Sequence, residues 1–400
     1  MDRTILHCDC NSFYASVECT MRPELRDVPM AVGGSEENRH GIILAKNELA
    51  KGFGVQTAET IWKAKQKCPN LIIVEPHHDL YREYSKRVMD IYKRYTDRVE
   101  SFGLDEAWLD VTESRRLFGG GKEIADTLRR VVREETGLTI SAGVSFCKVF
   151  AKLGSDYKKP DATTVFDRNN WQKIIFPMDV GNLLYVGKNT KKTLNKLGIK
   201  TIGQLAITDE KLLVSQLGKL GHQLKIYANG EDKSPVKLVY ETDEIKSVGN
   251  GRTFSHDLIG EDEIRHSIRG LCDSIARRMR AQGVKCTTLQ VQIKDPNFRV
   301  IQRQKKLEKP TYISREIHNA AMEIIKESWN LKLPIRMITV TGSNLIKEDE
   351  INEQLSLFDA PDERREKAER LEKTLDDIKN KFGKNVFTIP KKREDKKDEA

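Results

Sequence analysis

The segment SFGLDEAWLDVT, residues 101–112, decides how this chain is read. An apolar, strand-like run is interrupted by two neighbouring acids, Asp105 and Glu106, and resumes as Ala107-Trp108-Leu109. Adjacent carboxylates repel each other, and sheet-forming runs seldom carry them without a compensating partner. Upstream, TILHCD (4–9) reads as a strand ending in Asp9, and residues 12–20 as a helix. A helix is expected over 79–97, where Leu80, Tyr84, Val88, Ile91 and Tyr95 recur at helical spacing. A helix over 121–136, the strand TISAGVS (139–145) and the helix CKVFAKLGSD (147–156) follow. Strand, helix, two strands, helix, strand is the order of a ferredoxin-like split βαβ sheet. In such a sheet the first strand neighbours the 101–112 hairpin, so Asp9, Asp105 and Glu106 converge on one edge.

Three clustered carboxylates are costly unless divalent cations neutralise them. Oxygen ligands without Cys or His favour Mg²⁺, with Mn²⁺ as the alternative. Two such ions suit in-line displacement at phosphorus. Alone, an Asp-Glu pair is more often a polar turn. The company of Asp9 on a partner strand, with Phe13 and Tyr14 close behind it, favours the catalytic reading.

Between the first helix and residue 78 the chain carries a strand-like stretch (28–33), an apolar run (41–45), a helical pattern over 56–68 and the strand LIIVEP. These short elements read as an insertion. Residues 167–232 are helical and punctuated by glycine, and 231–244 is a polar linker containing Lys233 and Lys237. Residues 245–346 repeat the earlier rhythm, with strands at 247–254, 287–293, 298–304 and 336–342 and helices at 262–282 and 314–329. The tail from 347 is densely charged, yet Ala368, Leu371, Leu375, Ile378 and Phe382 form a helical stripe. The last ten residues read as disordered.

The chain has 400 residues, enough for two to four domains, and 69 Lys+Arg against 60 Asp+Glu give a net charge of +9. That excess suits a polyanionic partner and a plain lysine-rich surface about equally. Seven scattered cysteines without a Cys-x-x-Cys pair suit free thiols in a reducing cytosol. His7, Cys8 and Cys10 lack a second ligand pair at zinc spacing, so packing thiols are the expectation. No export signal or membrane-spanning run is present, which points to a cytoplasmic protein with no membrane partner.

HCDCNSFYASVE (7–18), FGVQTAETIWKAKQKCP (53–69), SFGLDEAWLDVT and GVSFCKVFAKLGSDYKKP (143–160) together resemble the Y-family translesion DNA polymerases of the DNA polymerase IV type. The resemblance runs in order from residue 1 to about 346. It implies an α+β chain with a ferredoxin-like palm (1–18 and 79–166) and a small fingers insertion (19–78). An all-helical thumb with helix–hairpin–helix turns (167–232), a linker (233–244), a second βαββαβ little-finger domain (245–346) and a tail (347–400) would follow. The activity implied is template-directed, low-processivity DNA synthesis across damage, by a nucleoid-associated bacterial monomer acting on primer–template DNA and deoxynucleoside triphosphates. It also implies that Asp9, Asp105 and Glu106 hold two Mg²⁺ ions, assisted by the backbone carbonyl of Cys10.

By the same resemblance Tyr14 takes the sugar-discriminating position, where a ring against C2′ leaves no room for a 2′-hydroxyl. Phe13 is expected to pack beneath it, and Lys159 matches the family's phosphate lysine. Where the family has Tyr and Arg, this chain has Glu48 and Lys51. Lys51 supplies charge without a bidentate fork, and Glu48 repels phosphate. Gly187-Lys188-Asn189, flanked by Lys191 and Lys192, resembles a DNA-binding hairpin, the alternative being a plain helical turn. Arg252, Arg299, Arg303, Lys305 and Lys306 are expected to track the DNA backbone, or else to form a solvated sheet face. Gln354, Leu355, Leu357 and Phe358 belong to QLSLF, which matches the peptide that binds the sliding clamp. In this polymerase type that motif commonly ends the chain, whereas here the tail continues past Asp359. No domain is left over for a 3′→5′ exonuclease. A non-catalytic, clamp-tethered relative would rest on Glu48 and Lys51 alone. A nucleotide cyclase shares the palm and paired acids but has no use for a DNA hairpin or a clamp peptide.

Overall fold

The first strand, β1 (Ile5–Cys10), is apolar and buried along its length except at Asp9, near its end. In the computed structural model, which describes residues 2–34, 41–241, 243–350 and 363–383, this strand lies at the centre of a five-stranded sheet. The chain divides into two units, Met1–Thr242 and Asp243–Ala400. In the first unit β2 (Met30–Gly33), β3 (Ile43–Lys46), β4 (Ile72–Val74), β5 (Val99–Ser101), β6 (Glu106–Asp110), β7 (Ile140–Ser145) and β8 (Thr163–Phe166) follow β1.

The large sheet has the order β5-β6-β1-β7-β8, with β1 antiparallel to both β6 and β7. This is the ferredoxin-like arrangement expected from the sequence, extended by β8, which runs parallel to β7 and was not foreseen. Only four residues long, β8 lacks a pattern that would separate it from a loop. The insertion forms its own small sheet, β3-β2-β4. The helix expected over 56–68 begins at Ile61, because the Thr60 hydroxyl caps it by accepting from the Lys63 N–H at 3.4 Å. The helix expected over 79–97 runs only over His78–Tyr92.

One face of β1, bearing Leu6, Cys8 and Cys10, shares a core with helices His78–Tyr92 and Gly121–Thr136. The other, bearing Ile5, His7 and Asp9, lies under helix Lys148–Tyr157, as the packing of Ile5 and Trp108 with Ala151 shows. Trp171–Ala228 is a run of short helices whose core continues through Phe146, Phe150 and Phe166. The segment expected as a free linker is strapped down over its first half. Val236 is 1% exposed, the Arg3 guanidinium donates to the Asp232 and Ser234 carbonyls at 2.7 Å each, and the Val239 N–H donates to the Asp97 carbonyl at 2.9 Å.

The second unit carries β9 (Ser247–Leu258), β10 (Val284–Lys294), β11 (Val300–Thr311) and β12 (Ile335–Lys347) in the order β11-β10-β12-β9. Helices Glu261–Ala281 and Ser314–Ser328 cover one face and fill a separate core. A further helix, Glu363–Phe382, docks here through charge: Arg280 is 2.6 Å from Asp376 and also meets Glu372, and Lys285 is 2.8 Å from Glu369. Arg280 and Lys285 are nearly buried, so each ion pair stands in for lost hydration.

Helix Lys148–Tyr157 approaches β7 so closely that Gly143 has no room for a side chain. A Cβ there would lie 1.9 Å from the Ala151 carbonyl oxygen and 2.5 Å from the Ser155 nitrogen, both backbone. Gly143→Ala should therefore cost about 3 kcal/mol of stability, read as a lower midpoint in urea unfolding. A midpoint at the wild-type value would mean that the helix backs away freely.

Candidate active site

The register of the central strands brings the acids together. Asp9 on β1 lies directly opposite Glu106 on β6, and the Cys10 N–H donates to the Asp105 carbonyl at 2.9 Å. The backbone thus delivers all three acidic residues to one end of the sheet. The side chains of Asp9 and Glu106 are held by lysines from one segment. Asp9 Oδ2 is 2.9 Å from Lys159 Nζ, which is itself 2.8 Å from Asp156. Glu106 Oε2 accepts from Lys152 Nζ at 2.5 Å.

Lys152 was not singled out from the sequence, and His7 was weighed there only as a zinc ligand. His7 is wholly buried, with Nδ1 2.8 Å from the Ser155 hydroxyl and Nε2 3.4 Å from Glu106. Its signal was alternation: on β1, His7 and Asp9 share a face. Burial lowers the pKa of His7 and favours the neutral ring, against the pull of Glu106.

The two facing carboxylates titrate in opposite directions. Burial lifts Asp9 to about 6, against the opposing charge of Lys159 and with help from Glu106. Burial also pushes on Glu106, but its contact with His7 and its hydrogen bond from Lys152 hold it down at about 2. Asp105 is raised by burial first and by Glu106 second. Among the described residues, no three His, Cys, Asp or Glu side chains surround a single point able to hold a metal ion. Glu106 is drawn toward His7 and Lys152, and each facing acid is paired with an ammonium group. The donor chemistry fits a hard divalent cation all the same, since the acids offer oxygen ligands only.

Tyr14 and Phe13 open the helix Phe13–Met21, just past the end of β1. Phe13 is buried beneath the site, while Tyr14 is only partly buried and close enough to Asp105 for that charge, after burial, to raise its pKa. Glu48 and Lys51 sit on a short helix capped by Asn47, whose Oδ1 accepts from the Ala50 N–H at 3.0 Å. Glu48 is tied to Lys51 at 3.2 Å and to the Ser12 hydroxyl at 3.4 Å. A cavity of about 240 Å³ opens between Ser12 and Glu48 on one side and Arg26, Asn47 and Thr139 on the other. Lys46, a cation missed in the sequence, has its pKa lowered by burial and by nearby Lys51.

Farther along, Gly187 caps helix Lys188–Lys196, and Gly187, Lys188 and Asn189 are exposed. Lys191 is paired with Asp179 at 2.8 Å. The left-handed residue of this turn is Tyr185, at φ 69°, and Asn189 is helical. Tyr185 stands on the ring of Tyr227, centroids 6.2 Å apart.

In the second unit Arg303 lies opposite Val291, and Arg252 opposite Ile338. Both partners are buried, so these arginines rise from the helix-covered side. Lys305 does too, bonding Glu323 at 3.0 Å, and Lys306 takes the opposite side. Arg299 sits at the β10–β11 turn, its N–H donating to Asp295 at 2.8 Å. The open face carries uncharged residues at its centre. The rows Gln302, Gln292, Thr339, Gly251 and Gln304, Gln290, Thr341, Gly249 cross it. Gln354, Leu355, Leu357 and Phe358 lie outside the described residues.

Residues 8–156 match the impB/mucB/samB family, and residues 245–357 match that family's C-terminal domain. A DNA polymerase IV of Acetivibrio thermocellus is 49% identical over 383 residues, covering 96% of each chain. The DNA polymerase IV of Clostridium kluyveri is 36% identical over 97% of each chain. A solved Y-family DNA polymerase chimera shares the fold with a TM-score of 0.77 at 22% identity, covering 86% of this chain and 99% of its own. On the strength of these matches and of the sheet that carries its paired acids, the chain belongs to the impB/mucB/samB family, the Y-family translesion DNA polymerases of the DNA polymerase IV type.

Proposed function

We propose that Asp9, Asp105 and Glu106 form the catalytic centre of this DNA-directed DNA polymerase. DNA and nucleotides as substrates, and a general need for divalent metal, come with membership of the family. The observation that carries the assignment is the pairing of Asp9 opposite Glu106, with Asp105 bound through its carbonyl to Cys10. Two Mg²⁺ ions held by these carboxylates and the Cys10 carbonyl would supply charge to a primer hydroxyl and to the departing pyrophosphate. Lys159 keeps Asp9 compensated until substrate arrives and then offers its ammonium to the triphosphate. Lys51, tied to Glu48, contributes as a point charge to the same phosphates, with Lys46 beside it. Tyr14 presents its ring to the sugar, and Phe13 supports it from below.

The exposed Gly187–Lys188 turn fits a DNA phosphate at a helix N-terminus, with Lys192 and Asn189 nearby. The second unit would meet DNA with the open face of its sheet, flanked by Arg299 and Lys306, while Arg252 and Arg303, on the helix-covered side of the two edge strands, lie outside that face. QLSLF (354–358) is a clamp-binding peptide by its sequence, and the enzyme works as a monomer tethered through it.

Purified protein should extend a primer with Mg²⁺, and Asp105→Ala should abolish extension while DNA binding persists in a gel-shift assay. Extension surviving that change removes the assignment. Lys188→Ala should reduce the slope of log affinity against log salt by about one, since one phosphate contact is lost. An unaltered slope places the hairpin off the DNA. Leu357→Ala combined with Phe358→Ala should leave basal synthesis intact and lose stimulation by the clamp. Equal stimulation of both proteins would remove the clamp role from this peptide.

A further inference from the structure

We infer that Tyr81 and Glu18 brace the ring of Tyr14, and so set how strictly the enzyme excludes ribonucleotides. This rests on the reading of Tyr14 as the sugar-facing ring. Tyr14 has one partly open side, and on the other Tyr81 lies stacked against it, centroids 4.1 Å apart and planes 14° from parallel. Tyr81 itself is wholly buried in helix His78–Tyr92. His78 meets both rings edge-on, at 5.9 Å from Tyr14 and 5.8 Å from Tyr81.

A buried phenol needs a partner for its hydroxyl. Here the partner is Glu18, whose side chain is 2% exposed and accepts from Tyr81 at 2.5 Å. Glu18 is also met by His77 Nδ1 at 2.8 Å and by Arg22 at 3.2 Å. Burial pushes the Glu18 carboxyl up, but these donors outweigh it and hold the acid below its ordinary range. It therefore stays an anion, the stronger acceptor.

The placement of Glu18 gives the brace its stiffness. Tyr14 and Glu18 lie four residues apart on one helix, so they share a face. Tyr81 touches both, stacking on one and donating to the other. Its ring is fixed at two points relative to the helix that carries Tyr14. A sugar pressing on Tyr14 thus presses on a ring that cannot slide. Without the hydroxyl anchor, Tyr81 can shift in its pocket, Tyr14 can lean back, and space for a 2′-hydroxyl appears. Tyr81 and Glu18 touch no substrate in this scheme and are positioning residues.

The test compares insertion of a deoxynucleotide and the matching ribonucleotide opposite one template base, as a ratio of kcat/KM values. Tyr81→Phe keeps the stack and volume and removes the anchor, so the ratio should fall about tenfold, mainly through faster ribonucleotide insertion. Glu18→Ala should do the same. Glu18→Gln retains an acceptor and should recover most of the selection. Thermal midpoints measured on the same proteins separate loss of selection from loss of fold. If Tyr81→Phe slows both nucleotides equally and keeps the ratio, the residue is merely structural and the inference fails. If Tyr14→Ala loses selection while Tyr81→Phe and Glu18→Ala keep it, the brace fails and the gate stands. If Tyr14→Ala itself selects normally, the reading of Tyr14 falls and takes the brace with it.

Discussion

Electrostatic crowding at the end of two central strands is the constraint around which the first unit is built. Asp9 faces Glu106 across one pair of the ladder, in a place where water is largely excluded. Two anions so placed oppose folding unless positive charge is brought to them. The chain brings it on a single segment, helix Lys148–Tyr157 and its continuation, which carries Lys152 and Lys159. The tight seat of that helix on β7, where Gly143 leaves no gap, is what places those ammonium groups. Packing and charge compensation therefore meet at one contact: the helix that packs the sheet also compensates its acids.

The opposite titration of the two acids expresses this arrangement. Glu106 is the better solvated by protein donors, with His7 and Lys152 both upon it, and is held strongly anionic. Asp9 has one lysine that it shares with Asp156, and its charge is less well compensated. An incoming cation would gain most at Asp9, and displacing Lys159 from it would release an ammonium beside the substrate. A polymerase has use for both: acids compensated by the chain's own lysines, and a cation ready for phosphate.

Much of this was legible in the sequence because it was written in two strong signals. Helical periodicity located the long helices, and acids interrupting an apolar strand located the candidate site, whose acids the sheet brings together. The ferredoxin-like order followed from the elements alone, and β1 beside β6 followed from that order. What the sequence concealed was short or set by tertiary contact. Thr163–Phe166 is too brief to show a period, yet pairing with β7 makes it a strand. Lys152 looked like any helix-surface lysine until the sheet brought Glu106 to it. Val236 lay in a polar, proline-containing stretch and is nonetheless buried against Ile5 and Trp108. Arg252 and Arg303 were read as backbone-tracking from charge, whereas register with buried Ile338 and Val291 puts them on the helix side. The left-handed turn residue at 185 is a tyrosine, so composition pointed to the glycine and asparagine after it.

Direct observation of cation binding tests the account at its centre. Mn²⁺ bound in the presence of a deoxynucleoside triphosphate can be counted by electron paramagnetic resonance in the wild type, in Asp9→Asn and in Glu100→Gln, an acid paired with Lys148 instead. The account predicts that Asp9→Asn loses high-affinity Mn²⁺ while Glu100→Gln retains it. Wild-type Mn²⁺ affinity in Asp9→Asn would contradict it, since the facing acids would then not be where the metal binds.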